Sequence, residues 1–249
     1  MRRLAIAALV TSLFTIVALA QKQPKPWGEW SQKDAQKILD DSPWGQTQTD
    51  TDTSQMFFSP TNDPGVTRAA RATSTSGSRT TQGATNQAVN VNYRIRFFTA
   101  KPIRQAFVRL IQLTQSNLPK ATAAGLEQFA NLHSNEWIIL AVAFDATDQR
   151  FSGPVMQAFG SATTAVIRNN TYLERKDGKK VFLSEYAPPG KDGSGAKFVF
   201  PRVVDERPFL TTDSGEVRCH TEFSIGSSPI KLDRRFKIAD MMYDGQLEY

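Results

Sequence analysis

Residues 27–44 read Trp-Gly-Glu-Trp-Ser-Gln-Lys-Asp-Ala-Gln-Lys-Ile-Leu-Asp-Asp-Ser-Pro-Trp and hold three of the four tryptophans of the chain. Ser31, followed three residues later by Asp34, is an acidic variant of a capping box, which begins a helix. Three apolar residues then recur at helical spacing: Ala35, Ile38 and Leu39. Pro43 ends the pattern, because the residue before a proline is disfavoured in the α region. The stretch predicts one short helix flanked by tryptophans.

This short helix is not expected to be stable alone. A helix of about ten residues is marginal in water, and burial of the tryptophans does not offset the entropy lost on ordering the whole stretch. The stretch must therefore pack on another surface. That surface is the core of its own domain, a partner chain, or a carbohydrate or other ligand stacked on the indole rings. The residues expected to make the contact are Trp27, Trp30, Ile38, Leu39 and Trp44.

The first twenty residues have the pattern of a signal peptide. Arg2 and Arg3 form a basic start, Leu4 to Leu19 are mostly apolar, and small residues at Ala18 and Ala20 favour cleavage after Ala20. The alternative is an uncleaved N-terminal membrane anchor, for which the apolar run is slightly short. We expect export to the periplasm or the extracellular space, with no membrane span after cleavage.

Composition narrows the class of protein. The chain has 249 residues, a formal net charge of +6 and one cysteine, so no internal disulfide can form. The basic residues are spread along the chain without a block of Lys and Arg, so we do not expect a nucleic-acid partner. Ordinary hydrophobic packing must hold the fold together.

Domain organisation follows from changes in composition. Residues 45–90 are rich in Thr, Ser, Gln, Asp, Asn and Gly, which predicts a disordered, low-complexity linker. The chain is thus divided into a signal peptide at 1–20, a Trp-flanked docking helix at 21–44, this linker, and a globular domain at 91–249.

The first part of the globular domain predicts a small α/β layer. Apolar and polar residues alternate from Val91 to Phe97, as in a half-buried strand. Thr99 is a possible cap for an amphipathic helix that runs to Thr114, and Pro102 is tolerated in its first turn. A second helix is predicted at 121–132. A nearly continuous apolar run at 136–144 is typical of a central strand.

The remainder of the domain is rich in strand signals. Asp177-Gly178 between two alternating segments is a strong hairpin signal. A short helix is predicted at 154–161, and strands at 171–175, 180–186, 196–200, 217–223 and 230–238. The fold class predicted is α+β: an antiparallel β-rich domain, sheet or sandwich, with two or three helices packed on it, preceded by the linker and the Trp-flanked helix.

The sequence contains no recognisable catalytic motif. Cys219 and His220 are adjacent in a predicted strand, so their side chains point to opposite faces and do not form a thiolate–imidazole pair. We expect no catalytic residue, metal site or cofactor. Four carboxylates could supply the acid pair of a glycosidase-like site, although their spacing does not single them out: Glu174, Glu185, Asp205 and Glu206.

Four arginines are spread over the first strand and helix of the domain. They are Arg94, Arg96, Arg104 and Arg109. If they share one exposed face, they would bind an anionic polymer in a salt-sensitive manner.

Several longer stretches carry a resemblance to a known group of proteins. They are Trp-Ser-x-x-Asp-Ala-x-x-Ile-Leu-x-x-Ser-Pro-Trp at 30–44, Arg-Phe-Phe-Thr-Ala-Lys-Pro-Ile-Arg-Gln-Ala-Phe at 96–107, Gly-Ala-Lys-Phe-Val-Phe-Pro-Arg at 195–202 and Met-Met-Tyr-Asp-Gly-Gln-Leu-Glu-Tyr at 241–249. The chain resembles an uncharacterised family of exported bacterial proteins, of acidobacterial type. The resemblance implies export, and it implies no activity, cofactor or site residue.

Together these patterns favour a non-enzymatic exported protein, an interaction or cell-envelope-associated module. Its partner would be another envelope protein or an anionic polymer. The alternative is a hydrolase acting on an envelope or extracellular polymer, with its catalytic groups brought together only by the fold.

Overall fold

A computed structural model describes residues 25–52, 89–133, 136–147, 149–225 and 228–249. The predicted signal peptide at 1–20 and most of the predicted linker lie outside these ranges. The described chain has an α+β fold with antiparallel sheets, which confirms the predicted class. Its helices are all too short or too polar to cross a membrane.

Five helices and thirteen strands are described. The helices are α1 (Gln32–Asp40), α2 (Lys101–Thr114), α3 (Lys120–Asn131), α4 (Gln149–Ser161) and α5 (Thr164–Ile167). The strands are β1 (Gly45–Asp52), β2 (Val89–Phe97), β3 (Trp137–Ala146), β4 (Thr171–Arg175), β5 (Lys180–Phe182), β6 (Glu185–Ala187), β7 (Ala196–Pro201), β8 (Val203–Val204), β9 (Arg207–Pro208), β10 (Glu216–Ile225), β11 (Ser228–Lys237), β12 (Met242–Tyr243) and β13 (Gln246–Leu247).

Two sheets carry the fold. The five-stranded sheet has the order β1-β2-β3-β7-β6, and the four-stranded sheet has the order β11-β10-β4-β5. The rings of Phe97 and Phe236, one from each sheet, meet edge to face with centroids 4.9 Å apart. Phe159 of α4 packs on Phe223 of the four-stranded sheet at 5.1 Å. The apolar faces of the two sheets therefore share one core.

The predicted hairpin at 171–186 is divided between the two sheets. Its first strand, β4, pairs with Lys180–Phe182, as the Asp-Gly turn predicts. The chain then passes from the four-stranded to the five-stranded sheet. The Leu183 amide donates to the Thr171 carbonyl, whereas the next amide, of Ser184, donates to the Val199 carbonyl. Glu185–Ala187 consequently pairs with β7 of the other sheet.

The prediction that the linker begins at residue 45 is wrong over Gly45–Asp52, which forms β1 and pairs with β2 along its whole length. Two glutamine side chains explain how so polar a segment is held. The Gln46 amide donates to the Arg235 carbonyl at 3.0 Å. The Gln48 amide donates to the Lys231 carbonyl at 2.7 Å and accepts from the Asp233 amide at 2.9 Å. These carboxamides occupy the edge of β11 much as a neighbouring strand would.

The start of α2 is capped differently from the prediction. Ala100, not Thr99, is the N-cap residue and has no side-chain cap. Instead, the carboxylate of Glu248 accepts a hydrogen bond from the Lys101 amide at 2.9 Å. A carboxylate at a helix N-terminus satisfies a free donor and complements the helix dipole. The last residues of the chain thus complete a helix that begins far upstream.

The ends of β1 and β2 define where residues 53–88 enter and leave the fold. Asp52 and Val89 are direct partners in the β1–β2 ladder. The range 53–88 is therefore inserted into a hairpin, and its removal requires only a tight turn between the two strands.

We predict that replacing 53–88 with Asn-Gly leaves the fold intact. The free energy of unfolding should be unchanged or higher by up to roughly 2 kcal/mol, because a shorter loop loses less entropy on closure. Urea denaturation followed by circular dichroism measures this. A variant with 53–88 scrambled at constant length separates loop length from loop sequence. A clear loss of stability in both variants would show that this range contributes contacts to the domain.

Candidate functional site

The tryptophan stretch lies against the chain's own domain. Trp30 and Trp44 are buried, with 7% and 8% of their surface exposed, and Leu39 is buried with them. Trp27 and Ile38 are half-buried and pack on the same core. The capping box of Ser31 and Asp34 forms as the sequence predicts. In this structure, then, the stretch is packed as part of the domain.

Trp44 is fixed by hydrogen bonding as well as by burial. Its indole N–H donates to the Glu248 carbonyl at 2.9 Å, and its ring meets that of Tyr243 edge to face at 5.9 Å. The turn after α1 is also tight, since a Cβ at Gly45 would lie 2.2 Å from the Leu39 carbonyl oxygen. The end of α1 thus has room for glycine alone.

Two of the four predicted arginines, Arg96 and Arg109, bind backbone carbonyls of this tryptophan stretch. Arg96 has 6% of its surface exposed; its Nε donates to the Leu39 carbonyl at 3.0 Å, and a terminal nitrogen contacts Asp40 at 2.7 Å. The Nε of Arg109 donates to the Trp30 carbonyl at 2.8 Å. Residues of the predicted docking stretch and of the predicted basic face therefore contact each other.

The other two arginines are also held internally. Arg94 is bound between Asp40 and Asp145, at 3.3 and 2.6 Å. Arg104 is almost completely buried and donates to the carbonyls of Thr99 and Leu132, and burial lowers its pKa. The expectation that the four arginines form an open basic face is therefore wrong. Each guanidinium binds backbone carbonyls or carboxylates of the fold, because the strand and helix that carry them direct them toward these groups.

The exposed side of the four-stranded sheet is a different kind of surface. Along its strands, buried residues such as Leu173, Val217 and Phe236 alternate with residues that point outward. We call the outward set the outer face. Its members are Tyr172, Glu174, Lys180, Phe182, Glu216, Arg218, His220, Glu222, Lys231, Asp233, Arg235 and Lys237.

An ion network crosses the middle of the outer face. Arg218 binds both carboxylate oxygens of Asp233, through Nε at 2.8 Å and through a terminal nitrogen. Its other terminal nitrogen lies 3.4 Å from Glu174, which Lys180 approaches at 3.5 Å. The Nδ1 of His220 lies 3.4 Å from Asp233. The hydrogen bond from Arg218 is the main cause of a lowered pKa at Asp233.

Aromatic rings border this network. Tyr172 stacks on His220 with centroids 4.9 Å apart, and the Lys180 ammonium lies 4.2 Å from the Tyr172 centroid. Phe182 meets Tyr172 at 5.8 Å and keeps 47% of its surface exposed. Phe182 is therefore the aromatic ring of this face that a ligand can reach most readily.

A cleft of about 260 Å³ opens at the end of the outer face where β4 and β10 meet the Asp177-Gly178 turn. It is lined by Glu174, Arg175, Lys176, Gly178, Glu216, Arg218 and Arg235. The basic side chains outnumber the carboxylates. Arg175 and Arg218 are already bound to Asp177 and Asp233, whereas Lys176 and Arg235 make no side-chain hydrogen bond or ion pair within the described chain.

The residues considered for catalysis do not form a reactive group. Cys219 is buried, and burial raises its pKa to about 12. His220 lies on the opposite side of the strand, on the outer face. In the described ranges, no set of three or more His, Cys, Asp and Glu side chains is placed to hold a metal ion.

The four carboxylates of the hydrolase hypothesis are scattered. Glu174 belongs to the ion network, and Glu185 lies on β6 of the other sheet. Asp205 and Glu206 form the turn between β8 and β9, both with positive φ. Lys179 contacts Asp205 at 2.8 Å and lowers its pKa, the opposite of what a general acid requires.

The outer face was not predicted, although the sequence carries an alternating pattern of charged residues in its two longest strands. Every second residue is charged or histidine over 216–222 and again over 231–237. Alternation of this kind is typical of any strand with one solvated side. Only the register, which sets His220 opposite Asp233 and Arg218 opposite Arg235, shows that these residues meet.

Comparisons of the chain with protein-family models, curated proteins and solved structures found no match. The resemblance to exported bacterial proteins therefore stays a prediction.

We predict that Arg96→Met lowers the free energy of unfolding by about 3 kcal/mol. The substitution keeps the side chain's bulk but leaves the Leu39 carbonyl without its donor and removes one partner of Asp40. Urea denaturation measures the change. Arg168→Met is the matched control, because Arg168 is exposed in a short 3-10 helix and should change stability by less than about 0.5 kcal/mol. Equal effects of the two variants would contradict the assigned role of Arg96.

We predict that the stabilising effect of Asp233 depends on pH. Its pKa is lowered in the folded state, so its contribution is present above the unfolded pKa and is lost as the pH falls through the folded pKa. Asp233→Asn should lower the free energy of unfolding by about 1 kcal/mol at pH 7, a value reduced by its partial exposure. The difference from the unsubstituted chain should shrink below about pH 4.

Denaturation of both proteins at pH 7, 5 and 3 tests this. Asp213→Asn, at an exposed aspartate without a side-chain partner in the described ranges, serves as control. A difference that stays constant from pH 7 to pH 3 would rule out the ion pair as its cause.

Proposed function

We propose that this protein is an exported, non-enzymatic module that associates with the cell envelope and binds its partner through the outer face. The observation that carries the proposal is the outer face itself, an open sheet surface with an exposed aromatic ring on one edge strand. At its other end lie cations that have no ion-pair partner in the described residues. The signal-peptide pattern at 1–20 supports export.

The other surfaces considered from the sequence support binding less well. The tryptophan stretch has its two most buried indoles in the core, and the arginines on β2 and α2 are committed to carbonyls and carboxylates. Exposed charged and aromatic residues that a fold does not use are better candidates for recognition than buried ones. This leaves the outer face as the favoured contact surface.

The geometry also favours binding over hydrolysis. A hydrolase of glycosidic bonds needs one carboxyl group with a raised pKa near a second carboxylate. Glu174 instead lies between two cations, and the pKa of Asp205 is lowered. Neither residue therefore supports the hydrolase alternative.

Two measurements test the proposal. The full chain, expressed in a Gram-negative host, should be recovered outside the cytoplasm, and deletion of residues 1–20 should retain it inside. The exported protein should then sediment with isolated cell envelopes. Phe182→Ala should weaken the apparent affinity for the envelopes about tenfold, the effect of losing roughly 1.4 kcal/mol of contact energy.

The matched control is Leu132→Ala, which removes an apolar side chain of similar exposure, 55%, at the end of α3, outside the four-stranded sheet. It should leave sedimentation unchanged. Release of soluble fragments from the envelopes by the purified protein would overturn the non-enzymatic proposal. Equal losses in both variants would remove the outer face as the contact surface.

A further inference from the structure

The outer face contains a cation that the fold itself does not need. Arg235 lies directly opposite Arg218 across β10 and β11. Like charges at opposed positions destabilise a sheet. Arg218 is neutralised by Asp233 and Glu174, whereas the guanidinium of Arg235 has no partner in the described chain. Both arginines line the cleft, and Lys176 adds a second uncommitted cation there. Glu216, which also lines the cleft, is a single carboxylate without a cation partner in the described residues, so the two cations outnumber it. This end of the face is therefore suited to a negatively charged group.

The other end of the face presents an apolar ring. Phe182 is exposed, and it lies three strands away from β11 in the four-stranded sheet. With neighbouring strands about 4.8 Å apart, the ring and the Arg235 backbone are separated by roughly 15 Å across the sheet. A ligand that uses both must be extended and must combine an apolar surface with a charge.

The carboxylates between these two ends restrict the ligand further. Glu174 and Asp233 lie in the middle of the face, bound to cations, with 23% and 31% of their side-chain surface exposed. They can accept hydrogen bonds from hydroxyl groups. The backbone of DNA has no hydroxyl groups to donate to them, whereas a polysaccharide carries hydroxyl groups on every ring. A protein partner would be expected to bury several adjacent apolar anchors, whereas this face offers one freely exposed aromatic ring.

We infer that the outer face binds an acidic polysaccharide. A pyranose ring packs its C–H face on Phe182, hydroxyl groups donate to the central carboxylates, and a sugar carboxylate enters the cleft beside Lys176 and Arg235. This inference rests on the proposed function, because it names the class of envelope polymer that such a module would bind.

The test uses affinity electrophoresis of the exported full chain in gels that contain defined polymers. Polygalacturonate should retard the protein. Fully methyl-esterified polygalacturonate has the same sugar backbone without the charge and should retard it at least fivefold less. Polyacrylate, which carries carboxylates without sugar rings, should also be at least fivefold weaker.

Two variants assign the effect to the face. The double variant Lys176→Gln with Arg235→Gln should reduce retardation by polygalacturonate at least fivefold, as should Phe182→Ala. Lys33→Gln with Lys120→Gln removes the same charge from exposed positions on α1 and α3 and should change retardation by less than twofold. Because Arg235 opposes Arg218, the first double variant should not lower the thermal midpoint, which confirms that it is folded.

Each alternative outcome has a definite meaning. Equal retardation by the methyl ester overturns the role of charge, and equal retardation by polyacrylate overturns the role of the sugar ring. Stronger retardation by single-stranded poly(dT) overturns the class of ligand. Binding to cell envelopes without retardation by polygalacturonate refutes this inference and leaves the proposed function standing. Retardation by polygalacturonate without export or envelope binding refutes the proposed function alone.

Discussion

The buried guanidinium of Arg96 connects the N-terminal helix to the sheet, and much of the remaining arrangement depends on it. It leaves β2 on the side away from the shared core and binds both the last turn of α1 and Asp40. Burial lowers the pKa of Arg96, while the hydrogen bond and charge of Asp40 raise it. An arginine in such a place is stable only while its partners are present. The guanidinium therefore makes docking of α1 and correct placement of β2 conditional on each other.

The position of α1 in turn determines the position of β1. The tight turn at Gly45 brings the chain directly from α1 into the strand that pairs with β2. From there Gln46 and Gln48 reach the edge of the four-stranded sheet. The C-terminal residues close the same region, because the backbone of Glu248 accepts the Trp44 indole and its side chain caps α2. Segments from both ends of the described chain thus hold the two sheets together.

Side chains that are bound inside the fold can be distinguished from those that remain free to bind a ligand. Arginines on the five-stranded sheet are used to hold helices, so they contribute little to recognition. On the outer face of the four-stranded sheet, a network around Arg218 compensates part of the charge. Lys176 and Arg235 have no ion-pair partner in the described residues, and the ring of Phe182 stays exposed. Binding of an acidic polysaccharide would account for all three of these residues.

The sequence by itself determined the local elements whose cause is local. The capping box of α1, the alternation in β2, the Asp-Gly hairpin and the buried run of β3 were all predictable, because each depends on spacing and turn chemistry within a few residues. It also showed that the tryptophan stretch needs a surface on which to pack. Only the tertiary structure decided which surface that is, that β1 is a strand, and that the arginines are internal. Those outcomes depend on partners remote in sequence, such as Gln48 with Asp233 and Trp44 with Glu248. A polar residue has the same local pattern whether it faces solvent or a distant carbonyl, so its partner is known only once the sheets are assembled.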